Sequence, residues 1–494
     1  MLRWLIAAAL VCSACSSAAS PWLEPGDPVV RSDLETLVDA GVITTPITTW
    51  PLAWNDIAAA ITAARASGDI DARAEPALQR MIELSRLETR TDELAMQAGL
   101  VVAERPQRIR TFSDTPRADA EARFGLAWTG NRLAFRLVAR AVSNPVDGDT
   151  VRLDGSYIGF ALGNWMFSAG FRERWWGPGW DGSLILSTNA RPTPQLAISR
   201  NRATPPELRW LRWVGPWSVT SFMGRLDDER AIHGALLFGL RATAKPLPSL
   251  EVGISRTAQW CGSTRPCDSK AFFNLLVGHD NVGHNISAAD QPGNQLAGID
   301  VRWKTPSRLP MAVYAQWIAE DSRKGGPELG SWLRQVGIEL SGNAFGSRWQ
   351  HRSHFEVADT TCREGGAGSG NVKPNCAYDH SLYRTGYRYL GQSLAHGMDG
   401  DSIGYTVGST LTSDDGRSWE LSARQMEINR VGAPDPAHSL SATPQSIREL
   451  SVSHTRSLKI GALDAGLGYT QVRDSAAGAL PRRDWFGWVG FRIN

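Results

Sequence analysis

The chain has 494 residues, 21% of them charged, with a formal net charge of +2. That length suits two or three soluble domains or one large closed sheet, and without a long acidic or basic run, bulk charge does not point to nucleic acid. Two skews remain: there are 20 Trp, and only six of the 52 basic residues are Lys, so Arg, whose planar fork pairs with carboxylates and stacks on rings, dominates.

Residues 1–19 read as a cleaved signal peptide. Arg3 is the charged flank, Trp4 to Val11 the apolar stretch, and Ser17-Ala18-Ala19 the small-residue cleavage site. Cys15 follows Cys12-Ser13-Ala14 rather than a Leu-x-small triplet, which favours simple cleavage over lipid attachment. Residues 20–95 carry a helical period. Ser32-Asp33-Leu34-Glu35 has the form of a capping box. Leu34, Leu37 and Val38 follow it, and Gly41 stops the run. Ile57, Ala60, Ile61 and Ala64 make a second stripe, and Leu78, Met81, Ile82 and Ser85 a third. Three short helices are expected here, forming a periplasmic plug.

Beyond residue 95 the period falls from 3.6 to 2. Leu133, Phe135 and Leu137 alternate with Arg132, Arg136 and Arg140, and Val336, Ile338 and Leu340 with Gln335, Gly337 and Glu339. Short turns, such as Gly130-Asn131, Gly163-Asn164 and Asp414 to Gly416, alternate with long segments near 173–205, 260–295, 358–402 and 429–445. That asymmetry belongs to an outer-membrane barrel, with residues 96–494 as its transmembrane part. Seventeen strands can be counted from residue 121 onward. An open edge in a bilayer would leave backbone groups without partners, and a single-chain barrel takes an even number. An eighteenth strand is therefore expected between residues 95 and 113, at "GLVVAE". The fold class is mainly β, an 18-stranded antiparallel barrel.

Parity puts "RERWWGPGWDGS", Arg172 to Ser183, at the extracellular mouth. Indole stacks on the apolar face of a sugar ring and carries a donor N–H. Arg forks grip carboxylates, and Asn and Asp bond hydroxyls. Arg174, Trp175, Trp176, Trp180, Asp181, Asn189, Arg191, Arg200 and Asn201 supply that set. Gly177, Pro178 and Gly179 are expected to shape the turn. Trp210, Trp213 and Trp217 suit an interfacial girdle instead. Cys261 with Cys267, and Cys362 with Cys376, are close pairs in an exported chain, so two local disulfides are expected. Their spacings are unlike zinc fingers, and no metal or cofactor is expected. Catalytic patterns stay at background: Gly391-Gln392-Ser393-Leu394-Ala395 lacks the strand-to-helix elbow of a hydrolase, and His351 and His354 fall on opposite strand faces.

"RWWGPGWDGSLILSTNARPTPQLAISRN", with "SPWLEPGD", "RTFSDTPR" and "HDNVGHN", resembles the capsule assembly Wzi family over nearly the whole mature chain. The resemblance implies an eighteen-stranded outer-membrane barrel closed by a periplasmic helical bundle and by extracellular loops. It implies a lectin, not an enzyme, that holds exported capsular or exopolysaccharide at the cell surface. The expected partners are that polysaccharide, outer-membrane lipid and the polysaccharide export machinery, and the chain is expected to be a monomer. A channel for small anionic solutes is the alternative. Asn494 departs from the terminal aromatic of many barrels, which leaves the insertion signal open.

Overall fold

A computed structural model describes residues 20–277, 293–306, 310–320, 331–345, 348–364, 372–430, 434–475 and 480–493. The expected signal peptide, residues 1–19, the whole "HDNVGHN" motif and Asn494 lie outside the described residues.

Three helices open the described chain: α1 (Pro28–Asp39), α2 (Trp54–Ser67) and α3 (Glu75–Glu88). The expected apolar stripes face inward, with Leu34, Leu37, Ile57, Ile61, Leu78 and Met81 all buried together. The start of α1 differs from the expectation. Asp27, not Ser32, is its cap, and its carboxylate accepts from the backbone of Val29 and Val30 at 2.9 and 3.1 Å. Pro28 at the first helical position needs no such partner. The Ser32–Glu35 box lies one turn inside, where Glu35 pairs instead with Arg31 at 2.9 Å.

The sheet follows. Its long strands are β1 (Leu94–Ala103), β2 (Ala120–Thr129), β3 (Leu133–Ser143), β4 (Tyr157–Leu162), β5 (Trp165–Phe171), β6 (Pro194–Arg200), β7 (Trp217–Arg225), β8 (Leu236–Leu247) and β9 (Leu250–Trp260). They continue with β10 (Gly293–Lys304), β11 (Met311–Ala319), β12 (Ser331–Ala344), β13 (Trp349–Glu364), β14 (Ile403–Ser413), β15 (Arg417–Ile428), β16 (Gln445–Leu458), β17 (Gly461–Asp474) and β18 (Arg482–Ile493). Each pairs antiparallel with its neighbours, and β18 returns to β1 through Trp488↔Ala103 to Ile493↔Ala98. The eighteen strands of the described residues thus close into a barrel, and the strand expected at "GLVVAE" is the one that closes it.

Alternation sorts the faces. Leu133, Leu137, Ile158 and Leu467 lie on the outer face, each at least half exposed. Arg140, Asp300, Arg302, Glu339 and Arg352 turn inward and pair there. An apolar band outside and ionic residues inside is the pattern a bilayer imposes. Trp210 and Trp213 stay exposed on a short 3-10 turn between β6 and β7, at the short-turn end, as a girdle requires. The expected loop 173–205 is shorter than read, because Pro194–Arg200 forms β6.

The helices dock into the lumen at the short-turn end. Arg302 and Arg352 reach Asp39 of α1, and Arg80 of α3 bonds Gln350. Glu251 accepts from the backbone N–H groups of Ile47 and Thr48. Both expected disulfides are present, Cys261–Cys267 and Cys362–Cys376, and both sit at the loop end.

Candidate binding mouth and inner plug

The segment between β5 and β6 does not stand out from the mouth. Residues 174–190 are buried without a break, so this long loop folds down into the lumen. Trp175 and Trp176 pair as a short antiparallel ladder with Trp50 and Thr49, in the stretch between α1 and α2. The loop from one side and the helical segment from the other thus meet inside the barrel.

The indoles expected as an exposed sugar platform are interior. Trp175 and Trp176 are fully buried and Trp180 is 4% exposed. Trp175 meets Phe112 edge-on and donates from its ring N–H to the Gly179 carbonyl at 3.1 Å. Trp176 packs on Phe222. Trp180 stacks on His354 at 5.4 Å and donates to Glu339 at 3.0 Å. Arg31 lies 4.0 Å over the Trp180 ring and donates to the carbonyls of Pro178 and Gly179 at 2.6 and 2.7 Å. Gly179 has no room for a side chain, since a Cβ would sit 2.2 Å from the Gly182 carbonyl oxygen. Gly177 has φ 141°, a conformation that glycine tolerates.

Arg174 is buried too. It donates to Gln195 at 2.6 Å and lies over the Phe222 ring. Burial and the Arg172 charge pull its guanidinium down to about 9. Asp181 pairs with Arg424 at 2.6 Å deep in the lumen. Arg200 and Asn201 lie at the opposite end, where Asn201 accepts from Asn55 of α2, so they cannot join a mouth site.

Two of the expected residues do reach the mouth. Asn189 and Arg191 line a cavity of about 260 Å³ at the loop end. Five segments enclose it: 104–119, 144–156, 172–193, 372–402 and 434–444. Its charged lining is Arg108, Arg110, Arg117, Arg152 and Arg191 against a single acid, Asp147. Most of the balancing carboxylates stand behind the lining: Asp114 holds Arg110, Glu173 holds Arg117, and Asp149 and Asp154 join Asp147 on Arg191. Those acids outweigh burial and hold the Arg191 guanidinium above its usual value. Tyr389 and Gln392 complete the wall from a tight hairpin, where Leu390 and Gly391 both take positive φ.

The sequence gives little sign of Tyr389. It lies some two hundred positions from Arg191, in a loop whose fold depends on burying Arg388 between Asp379, Asp399 and Asp435. A Leu-Gly step between polar residues was the one local signal.

A closed antiparallel barrel, apolar outside, with a filled lumen and a polar cavity among its long loops, defines an outer-membrane protein of the plugged-barrel class. The family model "Capsule assembly protein Wzi" matches residues 91–476, and the chain belongs to that family. It is similar to an uncharacterized 55.8 kDa protein in the cps region of Klebsiella pneumoniae, 31% identical over 329 residues. That match takes in 65% of this chain and spans 62% of the relative's length. The fold is also similar to a solved structure from Escherichia coli, described as Wzi, an outer membrane carbohydrate-binding β-barrel involved in group 1 capsule assembly. The TM-score is 0.80 at 24% identity, covering 96% of this chain and 99% of that one.

Proposed function

We propose that the protein is a non-enzymatic outer-membrane lectin that holds exported capsular or exopolysaccharide at the cell surface. Its three helices face the periplasm as a plug, and the cavity at the loop end is the binding site. The observation that carries this reading is that cavity, set above a lumen filled from both sides. Arginine forks suit carboxylates and hydroxyls, and Tyr389 offers a ring face with a polar tip. Membership of a capsule assembly family, and the carbohydrate binding described for the Escherichia coli barrel, support it. Asn189 and Arg191 keep the contact role proposed for them, while Trp175, Trp176, Trp180, Arg174 and Asp181 take a scaffolding role beneath.

The test uses Tyr389→Ala and Arg108→Ala, because neither residue holds a buried ion pair. Arg108 is exposed and donates to the Leu440 carbonyl. Each variant is expected to weaken polymer retention by roughly 3- to 10-fold, the loss of about 0.5–1.5 kcal/mol that one ring or charge contact carries. Retention is measured on cells at matched surface level. Wild-type retention by both variants and by the pair combined refutes this site.

A further inference from the structure

Beneath the mouth, three chain segments bring metal-ligating side chains together. Asp181 comes from the inward loop between β5 and β6, His396 from the loop between β13 and β14, and Glu356 from β13 in the wall. A ligand atom from each lies within 4.8 Å of the other two, and all three residues are buried. The loop regions around them, 174–190 and 393–402, are buried continuously.

Charge there is out of balance. Arg424 is shared between Asp181 at 2.6 Å and Glu449 at 2.7 Å. Among the described residues Glu356 has no cationic partner: Gln335, the Tyr314 hydroxyl and the N–H groups of Trp180 and Asp181 are its donors. Three carboxylates therefore face one guanidinium in a buried site, and buried charge of one sign is costly unless a counter-charge is present. Arg31, the next cation, is committed to Glu35 and to two backbone carbonyls.

His396 adds an independent observation. Its Nε2 is buried and has no hydrogen-bond partner among the described residues. The ring lies against Gly182, where a Cβ would come within 2.4 Å of that nitrogen, so glycine next to Asp181 is what admits the imidazole. The other nitrogen, Nδ1, accepts only a 3.3 Å contact from the Met398 N–H. Moving the ring proton to Nδ1 gives up that long contact and frees the Nε2 lone pair. On Glu356, Oε1 accepts from Gln335 at 2.5 Å and from the Asp181 N–H at 3.3 Å, and the latter is the longest of the four contacts that the carboxylate accepts.

We propose that Asp181, Glu356 and His396 form a buried site for a divalent cation of the zinc class, which ties two inward loops to the barrel wall. Two carboxylate oxygens and one imidazole nitrogen are a donor set zinc accepts, and its positive charge offsets carboxylate charge that Arg424 alone does not neutralise. The cation is a structural pin here, and its role is to hold the outer seal in place.

The experiment uses the untagged full-length protein in detergent, stripped with chelator and then dialysed against zinc or cobalt(II). Wild type is expected to retain about one equivalent of zinc after desalting, to show the visible d–d bands of low-coordinate cobalt, and to resist proteolysis of residues 172–193 better when loaded. His396→Gln, checked for folding by heat-modifiable mobility, is expected to lose the retained metal and the bands. Equal retention in that variant places the metal elsewhere and overturns the site. Should the variant not fold, wild type decides alone: no retained zinc and no cobalt bands in folded protein overturn the proposal.

Discussion

Trp175 illustrates what a single residue in this chain can and cannot announce. Its neighbours Gly177, Pro178 and Gly179 make the loop legible in the sequence as a fixed, indole-rich turn. The direction of the turn is not legible. It depends on Arg31, nearly 150 positions earlier, whose guanidinium binds the carbonyls of Pro178 and Gly179, and on a ladder with Thr49 and Trp50. Nothing local marks those partners, so an indole that closes the lumen reads the same as one that faces a sugar. Trp175→Ala is therefore expected to act on the fold of the loop. Truncating a fully buried aromatic costs about 3–5 kcal/mol, and here it also strips the Gly179 carbonyl of one donor. Limited proteolysis of the detergent-solubilised protein should cut the variant within residues 172–193 while wild type and Tyr389→Ala resist. A Trp175→Ala protein that keeps full protection yet loses polymer would return the indole to the binding surface.

At the scale of elements, strands were legible and inward loops were not. A strand in this barrel faces lipid on one side and ions on the other, so its sequence must alternate, and closure forces an even count. That logic locates β1 from a weak "GLVVAE" signal. Loops carry no such period, and their burial is set by long-range charge. The loop between β13 and β14 shows the consequence. One guanidinium, Arg388, serves Asp399, Asp379 and Asp435. Burial, with Asp435 nearby, pushes Asp379 up to about 7 despite the Arg388 bond, and burial pushes Asp401 up to about 6. Both groups are raised above the ordinary aspartate value, so the folded loop holds protons that the unfolded loop has released. Their contribution is complete below about pH 4 and is lost as pH rises through 6 and 7. Asp399 has the opposite sign: Arg388 holds it well below the usual range against burial, so its share is lost only in acid. His380 and His396 in the same loop act with the opposite sign, because burial pulls both imidazoles down to about 4 and their contribution grows as pH rises towards 6.5. Comparing wild type with Asp379→Asn isolates the aspartate: from pH 5 to pH 8, hydrogen exchange in residues 377–402, corrected for its intrinsic pH dependence, should speed up more, or slow down less, in wild type than in the variant. The same pH response in both proteins would mean that Arg388 neutralises the cluster.

For the whole molecule, the question is whether an eighteen-stranded barrel with this lumen passes solutes. A barrel of this size is wide enough for an aqueous channel unless it is filled. Here it is filled twice. The helices close the short-turn end through Arg302, Arg352, Glu251 and Arg241. The inward loop closes the other end and rests on the helical segment through Arg31 and Trp50. A second cavity, about 160 Å³, lies between the start of α1 and strands that include β1, β2, β17 and β18. Arg117 lines both it and the mouth cavity, and it is held there by Glu173 and the carbonyls of Thr188, Asn189 and Ala190. Intact protein in a planar bilayer is therefore expected to carry little steady current. Removing residues 20–90 takes away the helices and the floor under the loop, but leaves β1 and the closure of the barrel. That variant should flicker, because the loop keeps its contacts with β11 to β13 through Gln316, Gln335 and Glu356 yet loses Arg31 and Trp50. Replacing residues 175–187 as well by a short Gly-Ser turn should give a large, steady conductance. The order of the three recordings is the test: silent, flickering, open. Steady current from the intact chain would make the lumen a pathway and favour the anion channel over the lectin, whereas a silent double deletion would show that some other part of the chain seals the barrel.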